Sequence, residues 1–336
     1  MKLLLVAVVI TLAFIPSALA LDESALRSAS EYSTANHGYS LLVQQHGRKI
    51  FADTPNGASL SKSYKIYSGT KLFWILAAIN AEQQGLLGLD ELVADTIHEW
   101  ATDPVRSRVT IRQLLNFTGG IEPNFALHRD GHDSRNALAL TTRFGTAPGN
   151  SFIYGPAALQ VFDEILRRKL AARSETPTGF LEKHVLRPLG LGPQRYKTDG
   201  SGNPLLASGF ELTAPQWMRM GECILHQGSP VVTSGALSEA ARGTRMNPAF
   251  SLAIWNNHLA PGGREVDPED MLEIKWERQN WDGACLSKCA PRDLVACIGS
   301  GGQRLYVVPS QELIVVRQGG VGRFHDAEFL RRLFGP

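Results

Sequence analysis

The chain has 336 residues, 43% of them hydrophobic and 20% charged, with a formal net charge of +2. That apolar content can bury a sizeable core in one large domain or two intimate ones, and it excludes an intrinsically disordered chain. The near-balance of charge excludes long-range attraction to nucleic acid or an anionic membrane, so the expected partner is a small-molecule or peptide-like substrate.

Met1-Lys2, an apolar stretch from Leu3 to Ile15 and the small-residue run Pro16-Ser-Ala-Leu-Ala20 have the layout of a cleavable secretory signal. They predict a cut after Ala20 and a periplasmic or secreted mature protein. The stretch is shorter than the ~20 residues a spanning helix needs, and no later run reaches that length, so the mature chain is expected to have no membrane span. A monomer is expected.

Beyond Ala20, β-prone runs at 39–45 and 49–52 flank His46-Gly47-Arg48 and predict a hairpin. Residues 70–84 carry Leu72, Phe73, Ile75, Leu76 and Ile79 on nearly every side, the pattern of a buried helix. Pro156 stands at a first helical position ahead of Leu159, Phe162, Ile165, Leu166 and Leu170. Thr213-Ala-Pro-Gln216 resembles a capping box opening a helix through Leu225, with Gly228 as its stop. Near the end, 304–308 and 313–317 flank Pro309-Ser-Gln-Glu312, a second hairpin signal. Strands at both ends around a helical middle predict an α+β fold: an antiparallel sheet built from 21–67 and 292–336, flanked by helices, and a mostly helical inserted part over 68–291. The active site is expected in the cleft between them.

Four cysteines, at 223, 285, 289 and 297, stand in a chain read as exported, where disulfides persist. The close pair Cys285 and Cys289 is the candidate disulfide, with two free thiols as the alternative. Cys297 lies in an apolar run and reads as core, or as a partner for Cys223. No second paired cluster accompanies Cys285 and Cys289, which argues against zinc.

In Ser68-Gly-Thr-Lys71 a serine and a lysine three apart share one helix face, so an uncharged Lys71 could take the Ser68 proton. Burial disfavours an ammonium and lowers its pKa, and the helix N-terminus adds positive potential for an oxyanion. Spacing alone is weak evidence, since about one such pair is expected by chance in this length. Ser59-Leu-Ser-Lys62 is a second copy, in a polar stretch after Pro55-Asn-Gly57 that reads as a surface loop.

The run Tyr67-Ser-Gly-Thr-Lys71 opening a buried helix resembles the nucleophile motif of class C β-lactamases, penicillin-recognising carboxypeptidases and related esterases and 6-aminohexanoate-dimer-hydrolase-like amide hydrolases. Further segments fall in that family's order. These are Leu86-Leu-Gly-Leu-Asp-Glu91, Val109-Thr-Ile-Arg-Gln-Leu-Leu115 with Thr118-Gly-Gly120, Phe152-Ile-Tyr154-Gly-Pro156, residues 250–255, and Gly299-Ser-Gly-Gly-Gln303. The resemblance implies an acyl-enzyme serine hydrolase without metal or organic cofactor, with Ser68 as nucleophile and Lys71 and Tyr154 as acid and base. An ammonium beside Tyr154 is expected to lower its pKa. Ser300, Gly301, Gly302 and Gln303 would bind substrate and supply, near Gly302 or Gln303, an N–H that completes an oxyanion hole with that of Ser68.

Two positions depart from the family pattern. Pro156 stands where an asparagine is usual, and Ser300 where a lysine or histidine binds a substrate carboxylate. An ester or amide without that carboxylate is therefore the expected substrate. Two alternatives share the fold: a catalytically weak or inactive binding protein, and a D-Ala-D-Ala carboxypeptidase or class C β-lactamase. His128-Arg-Asp-Gly-His132-Asp133 has metal-like spacing but the composition of a loop, so no metal is expected there. No Gly-x-Ser-x-Gly elbow, phosphate loop or dinucleotide glycine motif occurs.

Overall fold

The computed structural model describes residues 21–335. The signal-sequence reading concerns residues 1–20 and lies outside them.

In chain order the elements that frame the site are α1 (Glu23–Ala35), β1 (Gly38–Gln45), β2 (Arg48–Asp53), α2 (Lys71–Gln83), α3 (Pro156–Leu170), α4 (Ala214–Leu225), β3 (Phe250–Ser251), β4 (Ile254–Asn256), α5 (Pro268–Glu273), β5 (Val295–Gly299), β6 (Gln303–Val308), β7 (Leu313–Gly319) and α6 (Asp326–Phe334). The seven strands form one antiparallel sheet in the order β2-β1-β7-β6-β5-β4-β3, so the two chain ends meet where β1 pairs with β7. Among the described residues, no helix is long and apolar enough to cross a membrane.

Local chemistry explains these elements. His46 and Gly47, both at positive φ (50° and 71°), turn β1 into β2 with the left-handed geometry that matches strand twist. Thr213 accepts from the Gln216 N–H at 3.2 Å while the Gln216 side chain accepts from the Thr213 N–H at 2.9 Å, closing the capping box of α4. Pro156 opens α3, where a missing N–H costs nothing.

Strand alternation gives β6 and β7 two different faces. Arg304 pairs opposite Arg317 toward the terminal helices, and Val307 opposite Ile314 toward α4. α4 lies so close that a Cβ on Gly221 would sit 2.4 Å from Ile314. On the other face Arg304 donates to both oxygens of Asp326 at the start of α6 (2.7 and 2.9 Å), with both side chains fully buried. Arg317 donates to the carbonyls of Gly302 (2.5 Å) and Asn36 (2.6 Å), tying the β5–β6 turn to the end of α1. Fully desolvated guanidiniums persist only when their donors are matched in this way.

The structure leaves all four cysteines unbonded, correcting the expected Cys285–Cys289 disulfide. The intervening loop wraps instead around the buried side chain of Asn257. Its Oδ1 accepts from the Leu286 and Ser287 N–H groups (2.9 Å each), and its amide donates to the carbonyls of Ser287, Ala290 and Pro291. Cys285 packs toward Gly263, whereas Cys289 interacts with Arg331. Cys297 is core, its thiol directed at the Gly69 carbonyl, and Cys223 bonds separately to the Gly228 carbonyl.

Asp163, fully buried on α3, carries one oxygen without a partner, and burial raises its carboxyl to about 7. Because the folded pKa lies above the unfolded value, this group's contribution to stability is complete below about pH 4 and lost as pH rises through about 7. Asp163→Asn is therefore expected to stabilise the protein by about 1 kcal/mol at pH 8 and much less at pH 4. Denaturant titrations at the two pH values check this.

Candidate active site

Between the sheet and the helical part lies a cleft of about 600 Å³. Its lining includes Ser68 and Lys71, Tyr154 from the loop before α3, Ser300 to Gly302 between β5 and β6, and Glu269, Asp270 and Glu273 on α5. A second, more apolar cavity of about 420 Å³ is lined by Ile224, Leu237, Ile254 and Val295 and does not reach Ser68.

Ser68 sits in a short 3-10 turn, Tyr67–Thr70, that runs directly into α2. Tyr67 enters this turn at φ 45°, a left-handed conformation that costs a non-glycine residue of order 1–3 kcal/mol and is held by its surroundings. Those surroundings are identifiable. The Ile66 N–H donates to the Phe210 carbonyl (3.0 Å), the Phe210 N–H donates to Thr70 Oγ1 (3.2 Å), and β5 presses on the other side. A Cβ on Gly299 would lie 2.0 Å from the Ile66 carbonyl oxygen, so only glycine lets β5 approach this closely.

Lys71 is 3% exposed, one helical turn beyond Ser68, and is followed by an unbroken apolar run from Leu72 to Ile79. Its Nζ donates to Ser68 Oγ at 2.6 Å and to the Ala207 carbonyl at 2.9 Å, and lies 4.7 Å from the centre of the Tyr154 ring. No carboxylate among the described residues pairs with it. Burial therefore dominates and pushes the amine down to about 7.

Tyr154 is partly buried in an aromatic cluster with Phe117 (4.7 Å between ring centres), Phe250 (6.0 Å) and Phe152 (6.1 Å). Burial pushes its phenol well above the ordinary value, and an interaction with Ser68 offsets this only in part. The expected lowering by Lys71 is thus reversed: burial makes the site too dry to hold a phenolate.

The glycine turn also differs in detail from expectation. The Gly301 and Gly302 N–H groups donate to the two oxygens of Glu269 (2.9 and 3.0 Å). Gln303, 1% exposed, lies in the ladder opposite Gly299, its amide bonded to the Gly319 carbonyl, and does not line the cleft. At the nucleophile and the glycine turn, no acceptor among the described residues meets the N–H of Ser68 or of Ser300. The Ser59 copy lies in an exposed turn, where Ser59 and Ser61 share a hydrogen bond.

His128 also lines the cleft, its imidazole lowered to about 4 by burial and then by the positive charges of Lys71, Lys197 and Arg135. His132 turns aside to the Ala126 carbonyl (2.9 Å), so the two histidines do not converge on one ligand site. Among the described residues the grouping close enough to hold a metal is Asp267, Asp270 and His325. Asp267 already uses one oxygen to cap α5 and the other to accept from the Asp326 N–H. The α5 carboxylates are cleft residues that motif reading missed. Asp267-Pro-Glu-Asp270 was readable as a helix start, but nothing local shows that Glu269 meets a turn thirty residues on.

A family model described as Beta-lactamase matches residues 26–317. The chain belongs to the β-lactamase family. Among solved structures of this fold, EstCE1, a hydrolase with promiscuous acyltransferase activity, superposes with TM-score 0.66 at 16% identity, covering 93% of this chain and 97% of that one. A class C β-lactamase from Rhodobacter sphaeroides gives TM-score 0.63 at 18% identity over 92% and 97%. Protein flp of Staphylococcus aureus (strain MW2) is 26% identical over 192 residues, 52% of this chain but 38% of that protein's length. Members of the β-lactamase family are serine hydrolases, and this chain has their α+β architecture.

The contact between β5 and the nucleophile turn makes a direct prediction for this β-lactamase-family fold. Gly299→Ala is expected to destabilise by about 3 kcal/mol or more, because the added methyl meets backbone that cannot step aside. Thermal denaturation against Gly262→Ala, which is not left-handed and whose Cβ would meet nothing closer than 3.9 Å, separates the clash from the effect of losing a glycine.

Proposed function

We propose that the protein cleaves a neutral ester or amide through an acyl-enzyme on Ser68, with Lys71 as base and Tyr154 as acid. The observation that carries this reading is the buried Lys71 amine 2.6 Å from Ser68 Oγ, its pKa lowered to about 7 with no paired carboxylate.

Neutral Lys71 takes the Ser68 proton as Oγ attacks the carbonyl carbon. The oxyanion forms against the free N–H groups of Ser68 and Ser300, which supports Ser300 rather than Gly302 or Gln303 as the second donor. Tyr154, held protonated by burial, donates its proton to the leaving oxygen or nitrogen and recovers one from the Lys71 ammonium. In the second half, water gives a proton to Lys71 and attacks the acyl carbon; Ser68 leaves and regains its proton. No metal or organic cofactor enters the scheme. Export with cleavage after Ala20, and a monomeric state, belong to the same proposal and rest on sequence.

A fluorophosphonate probe is expected to label Ser68, with labelling abolished in Ser68→Ala and retained in Ser59→Ala. A folded protein that stays unlabelled, as read by mass spectrometry, would point to a binding protein of the same fold. Because Lys71 works as a free amine, kcat/KM should rise with pH through about 7 and then level. A profile flat from pH 5 to 9 would remove Lys71 from the role. Tyr154→Phe should lower turnover by roughly 10²–10⁴-fold, as expected for loss of a general acid, with the Ser68 label retained.

A further inference from the structure

The turn Ser300-Gly301-Gly302 holds a carboxylate of its own chain. Gly301 and Gly302 both stand at positive φ (74° and 70°), a conformation that lets consecutive N–H groups converge on one concavity. The Arg304 guanidinium completes it from behind, buried and fixed by its paired bonds to Asp326. In the structure this concavity is filled from within the chain. Glu269 Oε2 accepts from the Gly301 N–H (2.9 Å), and Oε1 accepts from both the Gly302 N–H (3.0 Å) and Arg304 Nη1 (2.7 Å). These are three bonds to an ionised carboxylate, the strong class of hydrogen bond.

We propose that Glu269 is a specificity-determining residue that stands in for a substrate carboxylate, occupying the cleft's own anion receptor so that acyl groups bearing a carboxylate are refused. Three features of the cleft point the same way. Position 300 offers a serine hydroxyl rather than a cation. The backbone and guanidinium that could replace such a cation are already saturated. Asp270 and Glu273, on the same helix as Glu269, add negative charge to that wall, against which Arg323 and His325 stand at the rim, the latter facing Asp267 and Asp270. Glu269, Gly301 and Gly302 line the same cleft as Ser68, Lys71 and Tyr154. The inference rests on the hydrolase reading for its catalytic consequence, but the receptor itself does not.

The test uses the full chain and Glu269→Ala, with formate as the probe. Potassium formate, compared with potassium chloride at equal ionic strength, is expected to raise the melting temperature of Glu269→Ala and leave the parent protein unchanged, because only the variant has an empty receptor. With paired aryl acetate and aryl hemisuccinate esters, the parent should favour the neutral ester. Glu269→Ala should reduce that preference roughly 10- to 100-fold, the worth of charge-assisted hydrogen bonds regained by the substrate, and added formate should restore it. If the alanine variant does not fold, Glu269→Gln, which keeps the shape and one acceptor oxygen, should shift the preference in the same direction. A folded variant with no formate-specific stabilisation, or an unchanged ester preference in both variants, would overturn the proposal. If neither ester is cleaved by any form, the hydrolase reading fails, while the formate shift still decides whether Glu269 fills an anion receptor.

Discussion

An amine buried without a counter-charge is the constraint on which the rest of this site depends. An ammonium moved out of water normally brings a carboxylate with it, because the desolvation cost otherwise exceeds what hydrogen bonds return. Lys71 has a hydroxyl, a backbone carbonyl and an aromatic face instead. The proton is what gives way, and the pKa falls to about 7. Between there and the ordinary lysine value the unfolded chain holds more protons than the folded one, so stability rises with pH over that interval. The apolar surroundings of α2, with Leu72 to Ala78 all fully buried, keep water from relieving the cost.

That dryness has a second consequence at Tyr154. The same burial that makes Lys71 a base opposes ionisation of the phenol, so the two neighbours are pushed apart in proton affinity rather than together. A pair of groups separated in this way divides the labour of proton transfer: one accepts readily, the other holds its proton until a stronger base forms beside it. The proposed assignment of base and acid therefore rests on one property, low solvent access, and not on two independent tunings.

Periodicity and turn chemistry make much of the fold legible in the sequence. The hairpins around His46-Gly47 and Pro309–Gln311, the capping box at Thr213 and the proline start at Pro156 are local signals, and local physics forms them. The site was legible in a different way. Ser68 and Lys71 share their spacing with Ser59 and Lys62, and what separates the copies is a helix and its burial, visible in the run of apolar residues after Lys71. The direction of the Tyr154 shift is not legible in sequence, because proximity to a lysine can be inferred from motif order, whereas the depth of burial cannot. The Cys285–Cys289 pairing failed for a similar reason: the spacing permits closure, but Asn257, far away in sequence, decides the path of the loop. Glu269 carries no local mark of its role at all, since its partners are two glycine N–H groups and an arginine contributed by the sheet.

The turn between β5 and β6 shows how few backbone groups such a site has to distribute. Ser300, Gly301 and Gly302 offer three N–H groups at the edge of the cleft, and two of them are bound to Glu269. Arg317 holds the Gly302 carbonyl from the opposite side, so the turn is gripped at both its donors and its acceptor. Gly302 is needed for that grip, because a Cβ there would lie 2.1 Å from the Arg317 guanidinium. With Gly301 and Gly302 bound to Glu269, the N–H of this turn that meets no acceptor is that of Ser300, the one the proposed mechanism assigns to the developing negative charge. On the proposed mechanism, the buried arginines of the sheet act on chemistry they do not touch. By fixing which backbone hydrogens are spent, they fix which one remains.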